Sequence, residues 1–444
     1  MHEPSVEADL IISAAWLIPV QPSDSVLRDR AVVIRDGLIE QIVDRDAAAA
    51  MAARERVHLP DHALLPGLIN AHGHAAMSLL RGYADDIPLR PWLERHIWPA
   101  EARHVSAEFV RDGTALAMAE MLLAGTTTFS DMYFFPDVVA ELAGQTGLRC
   151  QLAAPVIDFP SAWGRGADEY ISKALSLRDA CRGHERIGVA FGPHAPYTVA
   201  ADKLEQIATY AAELDMAVQI HLHETAGEVL AAIEAHGERP IDTLRRIGLL
   251  GPHTQCVHMT DLSERDIATL AETGAQVVHC PQSNMKLASG ACPVGRLSTA
   301  GVNVALGTDG AASNNDLNLF NEMHSAALLA KLSSGDAALM SAARTLHLAT
   351  AGGARALGIE HLTGSITPGK QADLIAVDLS GPATQPLYRP ISQLVYACSG
   401  AEVTHSWVSG SALMQNRKLL TLDVEATLAR AREWGRRIAT CATH

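Results

Sequence analysis

Residues 64–74 read LLPGLINAHGH. The run is short, apolar and bounded, as a buried strand is, and it ends in His72-Gly73-His74. In a strand, residues i and i+2 share a face. Two imidazoles therefore project together from the end of this strand, and Gly73 between them keeps the other face clear.

Downstream, similar runs recur in order: GTTTFSDM (125–132), LRCQLAAPVI (148–157), IGVAFGPHAP (187–196), MAVQIHLHE (216–224), TQCVHM (254–259), AQVVHCP (275–281) and VNVALGTDG (302–310). Helix-like segments lie between them, among them AEFVRDGTALAMAEMLLA, ADKLEQIATYAAEL and SERDIATLAETG. Eight strands, each followed by a helix, specify an α/β chain with a closed (β/α)8, TIM-like barrel.

Upstream, 8–20 and 31–43 read as short strands, the second holding the hairpin-turn signal Asp36-Gly37. An alanine-rich stretch at 47–53 reads as a surface helix. After residue 360 the β character returns in GSITPGKQADLIAVD, QLVYACSG and VTHSWVSGSAL, and LDVEATLARAREWGRRIAT reads as a closing amphipathic helix. The expected organisation is a barrel over 66–360 flanked by a small β-sandwich. Residues 1–65 form one half of that sandwich; 361–444 form the other half plus the closing helix.

Chemistry-bearing residues fall at the ends of these strands. His72 and His74 end strand 1, His221 ends strand 5 in HLHE, and Asp309 ends strand 8 in GTDG. Active sites of such barrels are built at the C-terminal strand ends. Only one of His221 and His223 need face a metal. Three imidazoles and one carboxylate suit zinc or iron(II), and suit calcium or magnesium poorly. A catalytic zinc keeps one position open for water and lowers its pKa to about 7. The pattern points to a metal-dependent hydrolase.

Composition narrows the partners. With 444 residues, 48% hydrophobic, the chain can bury a large core. A net charge of −15 argues against nucleic acid as partner but leaves a small nucleoside open. The seven cysteines are scattered without a C-x-x-C pair, which disfavours a disulfide framework or a thiolate metal site and fits a reducing cytoplasm. The N-terminal stretch has no basic region followed by an apolar run, and no apolar span reaches about 18 residues, so neither a signal peptide nor a membrane segment is expected. Whether the chain forms a homo-oligomer is left open.

PGLINAHGH, HLHET, VVHCPQSNMKLASG, LGTDGAASNN and GSITPGKQADLIAVD together resemble the amidohydrolase superfamily, and more closely its 5-methylthioadenosine/S-adenosylhomocysteine deaminases. The resemblance covers nearly the whole chain. Binuclear members of the superfamily bridge two metals with a modified lysine on strand 4. Strand 4 here, IGVAFGPHAP, has no lysine, so one zinc per chain is expected.

Deamination of an aminopurine needs a hydroxide aimed at the ring carbon, a base to generate it and an acid for the ring nitrogen. Asp309 can ligate metal and accept the water proton. Glu224 can protonate the ring and carry protons to the leaving amine, and the resemblance implies both roles. It also implies that His194, in FGPHAPY, contacts substrate, that Glu101 holds the ribose hydroxyls, and that Arg165 meets the homocysteine end.

Two departures matter. A second family arginine, expected near the end of strand 3, is replaced by Ala154, which favours methylthioadenosine or adenosine over S-adenosylhomocysteine. The family's histidine early in strand 6 is replaced by Gln255, leaving Gln255, His258 and His279 all open as neighbours of the attacking water. The competing readings are a deaminase or dechlorinase of guanine, cytosine or a triazine, which would have no ribose for Glu101 to hold, and a non-catalytic scaffold. A scaffold should have lost ligands.

Overall fold

In the computed structural model, which describes residues 7–442, the chain forms two eight-stranded sheets. Strands β1 (Ala8–Leu17), β2 (Leu27–Arg35), β3 (Leu38–Asp44) and β4 (Ala53–Pro66) come first. The hairpin between β2 and β3 turns at Asp36 and Gly37, both at positive φ. The helical part of the alanine-rich stretch is short, Arg45–Ala49.

The barrel strands follow as β5 (Leu68–Asn70), β6 (Thr126–Asp131), β7 (Arg149–Val156), β8 (Ile187–Pro193), β9 (Val218–Leu222), β10 (Thr254–His258), β11 (Gln276–His279) and β12 (Val304–Leu306). They pair in parallel in chain order. One of the helices between them shows both end signals clearly. Ser263 caps Glu264–Thr273 through a capping box with Asp266, and Gly274 ends it at φ 73°.

The remaining strands are β13 (Leu374–Asp378), β14 (Val403–Val408), β15 (Ser411–Gln415) and β16 (Lys418–Leu419). They join β1–β4 in one continuous sheet of order β16-β15-β14-β13-β4-β1-β2-β3. The junction of the two chain ends is β4, parallel to β1 on one side and antiparallel to β13 on the other. Leu10, Ile12 and Val32 share an apolar cluster with Leu374, Ala376 and Trp407. The segment QLVYACSG departs from its expected β character: a helix, Pro390–Tyr396, runs into it. Proline at its first position suits a helix start, and Ile391, Leu394 and Val395 bury one face.

LLPGLINAHGH is more than one strand. Its first three residues end β4 in the outer sheet, LIN forms β5 of the barrel, and AHGH lies beyond it. Gly67 makes the crossing between the sheets. A β-carbon there would lie 2.0 Å from Thr127 Oγ1 on β6, so no other residue fits.

A buried ion pair ties barrel to outer sheet. Arg149 at the start of β7 binds Asp373 in two contacts, at 2.8 and 3.3 Å, and Asp373 also accepts the Ser409 N–H at 2.7 Å. Removing one partner strands a buried charge. Asp373→Ala should therefore cost about 3–5 kcal/mol, measured as a lower denaturant midpoint. The closing helix Val424–Ala442 lies against the barrel helix Ala107–Leu123, where Trp434 Nε1 donates to Asp112 Oδ2 at 2.9 Å. Among the described residues, no helix is long and apolar enough to cross a membrane.

Candidate metal centre and active site

The barrel closes just beyond its first and last strands. Ala71 N–H donates to the Leu306 carbonyl at 2.9 Å, Asp309 N–H to that of His72 at 3.1 Å, and Gly73 bridges Asp309. Three of the four expected ligands thus stand at the closing seam. The necessary glycine here is Gly307, because a β-carbon on it would lie 2.9 Å from His72 backbone and side-chain atoms. Gly73 has more room: its nearest neighbour would be the Asp309 carbonyl at 3.5 Å.

His72, His74, His221 and Asp309 converge, their ligand atoms all within 4.8 Å of one another. Nε2 of His72 and His74 lie 3.5 and 3.2 Å from Asp309 Oδ1, and His221 Nε2 lies 3.1 Å from His72 Nε2. Donors on bonds of about 2.0–2.1 Å to a tetrahedral zinc sit about 3.3 Å apart.

The hydrogen bonds behind the imidazoles decide their tautomers. His74 Nδ1 faces the Met132 carbonyl at 2.6 Å and His221 Nδ1 that of His194 at 2.7 Å. His72 Nδ1 faces Gln219 Oε1 at 2.8 Å, and Gln219 is oriented by donating to the Ala71 carbonyl. Each Nδ1 must carry the proton, so each Nε2 presents a lone pair to the common point. Two such lone pairs 3.1 Å apart cannot hydrogen-bond to each other. A cation between them resolves the repulsion, so these residues fit a metal.

The fourth donor is held as firmly. Asp309 Oδ2 accepts hydrogen bonds from Ser283 at 2.7 Å and Ser313 at 3.0 Å.

Around this point lies a pocket lined by, among others, His194, Glu224, His258, Glu101, Tyr133 and Trp98. Glu224 is buried; burial first, and then the Asp309 charge, push its carboxyl up to about 8. His258 faces it at 3.8 Å and is aligned by Asn284 Oδ1 at 2.9 Å from its Nδ1. Glu101 accepts a hydrogen bond from the Tyr133 hydroxyl at 2.7 Å. His194 hydrogen-bonds Thr198 Oγ1 at 3.0 Å while its carbonyl orients His221. Burial first, with neighbouring imidazoles, lowers its pKa to about 3, so its ring is neutral.

Other sequence candidates stand elsewhere. Of the three left open on strands 6 and 7, only His258 lines the pocket. Gln255 sits behind it, accepting from Gln219 at 2.7 Å, and His279 is buried off the pocket. His223 turns away, bonded to the Asp261 carbonyl at 2.8 Å. Arg165 is not brought in: its side chain is 91% exposed and paired with Glu169 at 2.8 Å. Ala154 is buried within β7. Sequence reasoning did not single out Gln219, Tyr133 or Ser283. Gln219 carried a signal, a lone polar residue two positions before His221 on the same face of a buried strand.

A buried three-histidine, one-aspartate centre in the mouth of a (β/α)8 barrel defines a class, the metal-dependent hydrolases of barrel fold. Within it the chain belongs to the amidohydrolase family, whose model matches residues 63–413. A 5-methylthioadenosine/S-adenosylhomocysteine deaminase from Teredinibacter turnerae is 52% identical, over 96% of this chain and 97% of its own. A 5'-deoxyadenosine deaminase from Methanosarcina mazei is 40% identical, over 96% and 97%. An adenosine deaminase from Xanthomonas campestris, solved with bound zinc, superposes with a TM-score of 0.97 at 49% identity, over 98% of this chain and 100% of its own.

Proposed function

We propose that the protein hydrolyses the 6-amino group of adenosine-type nucleosides (5'-methylthioadenosine, S-adenosylhomocysteine and adenosine), with water replacing the amine to give the inosine analogue and ammonia. The observation that carries this is Glu224, a buried carboxyl with raised pKa, facing His258 and the four converging ligand atoms inside one pocket. The relatives named for this chemistry support it.

His72, His74, His221 and Asp309 would hold one zinc per chain. Bound there, zinc supplies Lewis acidity that makes hydroxide available at neutral pH. Asp309 takes a proton from the attacking water. Glu224, protonated near neutrality, gives its proton to the ring nitrogen; the carboxylate so formed passes the hydroxyl proton of the adduct to the leaving amine, and the proton held by Asp309 returns Glu224 to its acid form. His258 and His194 border the reacting centre as neutral imidazoles, and Glu101, oriented by Tyr133, accepts from the ribose hydroxyls. Beyond Leu89, Leu93, Trp98, Phe159 and Tyr197 the pocket continues into a groove of about 1050 Å³ with room for a 5' substituent.

Ammonia release, followed across adenosine, 5'-methylthioadenosine, S-adenosylhomocysteine, guanine and cytosine, tests the assignment, with loss of adenine absorbance reading the same step for the three nucleosides. The three nucleosides should react and the bare bases should not. With Arg165 turned to solvent and alanine at 154, methylthioadenosine should be used at least as efficiently as S-adenosylhomocysteine. A strong preference for the latter would reject that ranking. Elemental analysis should give about one zinc per chain; two per fully active chain would refute a mononuclear site. We also infer that the described parts of 1–65 and 361–444 form one unit around a barrel of 66–360, a division supported by the pairing of β4 with β13; 1–6 and 443–444 lie outside the described residues.

A further inference from the structure

The carboxyl of Glu224 meets His258 and the reacting centre although its main chain has just left β9 through a turn. His223 lies in the left-handed region at φ 50°, which a β-carbon disfavours. Three sets of hydrogen bonds hold this turn. His223 itself is bonded on both ring nitrogens, Nδ1 to the Asp261 carbonyl and Nε2 to the Ile241 N–H at 3.2 Å. Thr260 donates through its N–H to the His223 carbonyl at 2.9 Å and through its hydroxyl to the Glu224 carbonyl at 2.8 Å.

The third set belongs to Glu228. Its Oε2 accepts the Glu224 N–H at 2.8 Å, and its own N–H donates to Thr225 Oγ1 at 3.1 Å. Thr225-Ala226-Gly227-Glu228 has the sequence of a capping box for the helix Ala226–His236. An ordinary capping box returns to the N–H of the cap residue, here Thr225. This one reaches one residue further back, onto the N–H of the residue that carries the pocket carboxyl. The two peptide groups flanking the Glu224 Cα are therefore both held, the N–H before it by Glu228 and the carbonyl after it by Thr260. The second oxygen of Glu228 is buried without a hydrogen-bond partner, so the contact requires an acceptor rather than an ion pair.

We propose that Glu228 is a positioning residue for the reaction, holding the Glu224 main chain so that the Glu224 carboxyl meets the substrate ring. The inference rests on Glu224 being the proton-carrying group. Freed of Glu228, the Glu224 peptide can rotate, and its side chain swings with it. A displacement of about 1 Å in a reacting group costs on the order of 10²-fold in rate. The loss falls on kcat rather than KM, because the proton transfer develops only in the transition state. Glutamine keeps the acceptor oxygen and is itself a capping-box residue.

The test compares zinc-loaded, full-length Glu228→Ala, Glu228→Gln, Glu228→Asp and Glu224→Gln on adenosine and on the best substrate of the panel above. Zinc per chain, Tm, kcat and KM are measured for each, with the kinetics run well below Tm. Glu228→Ala should lose roughly 10- to 10²-fold in kcat with zinc content held within about 2-fold, and KM for adenosine, which has no 5' substituent to reach the groove that Glu228 also lines, should stay within about 2-fold. Glu228→Gln should return kcat to near the parent value. Glu228→Asp, one methylene short of the Glu224 N–H, should fall between and carries the test if the alanine variant does not fold. A lowered Tm with parental kcat in the alanine or aspartate variant would show a helix cap only and overturn the proposal. Equal losses in the alanine and glutamine variants would overturn it too, since charge would then matter and not position. Full activity in Glu224→Gln would sink the proton-carrying role itself; an inactive Glu224→Gln beside a fully active Glu228→Ala would sink this inference alone.

Discussion

Glu224→Gln is expected to bind zinc as the parent does and to lose at least about 10²-fold in kcat, the scale of one general acid–base group. The substitution is nearly isosteric. It leaves His72, His74, His221 and Asp309 untouched and keeps the main-chain contacts to Glu228 and Thr260. What it removes is an exchangeable carboxyl proton opposite His258. The same group makes a pH signature. Its active form is the protonated one, and burial with the Asp309 charge raises its pKa to about 8. The rate should therefore fall as pH rises toward and through that value. A cation at the centre draws the pKa down, so about 8 is the upper end of the range for this limb. A pH profile of kcat/KM reads it. Parental activity in the glutamine variant would remove Glu224 from the chemistry.

Asp309→Asn should combine two losses. The amide donates less electron density than a carboxylate, so zinc should be retained poorly through dialysis. The amide also cannot take a proton from water, and that function alone is worth about 10²–10⁴-fold. The variant should still fold, because the asparagine oxygen can accept from Ser283 and Ser313 as Asp309 does. Unfolding midpoint, zinc content and kcat measured on one preparation separate these effects. Parental zinc content and rate would exclude Asp309 from the centre. Ser283→Ala is the graded control. Removing a partner behind a ligand usually costs about 10–100-fold in metal affinity or activity.

How much of this was legible in the sequence varies by level. The eight barrel runs could be read because each is short, apolar and followed by a helical period. Helix limits such as Ala201–Leu214 and Glu264–Thr273 follow from local signals. The helix Pro390–Tyr396 was misread because seven residues show too little periodicity to outweigh a β-rich surrounding. Glu101 and His194 line the pocket, whereas Arg165 is exposed outside it. A charged loop residue is placed by its partners, and here Glu169, four residues along the same chain, competes successfully for it.

The stretch 64–74 shows the same division on a smaller scale. By itself the sequence determined that His72 and His74 leave one strand end together, because alternation along a strand is a local property. It determined equally that three imidazoles and a carboxylate stand at the ends of short apolar strands, since strand length and strand ends are local too. The tertiary structure alone decided that LLP belongs to one sheet and LIN to another, with Gly67 pressed against Thr127. It also decided that His258, and neither Gln255 nor His279, turns into the pocket, and that Gln219, Met132 and His194 set the tautomers of the three histidines. These outcomes depend on contacts between residues as far as 147 positions apart. Barrel closure brings them together, and no local pattern encodes them.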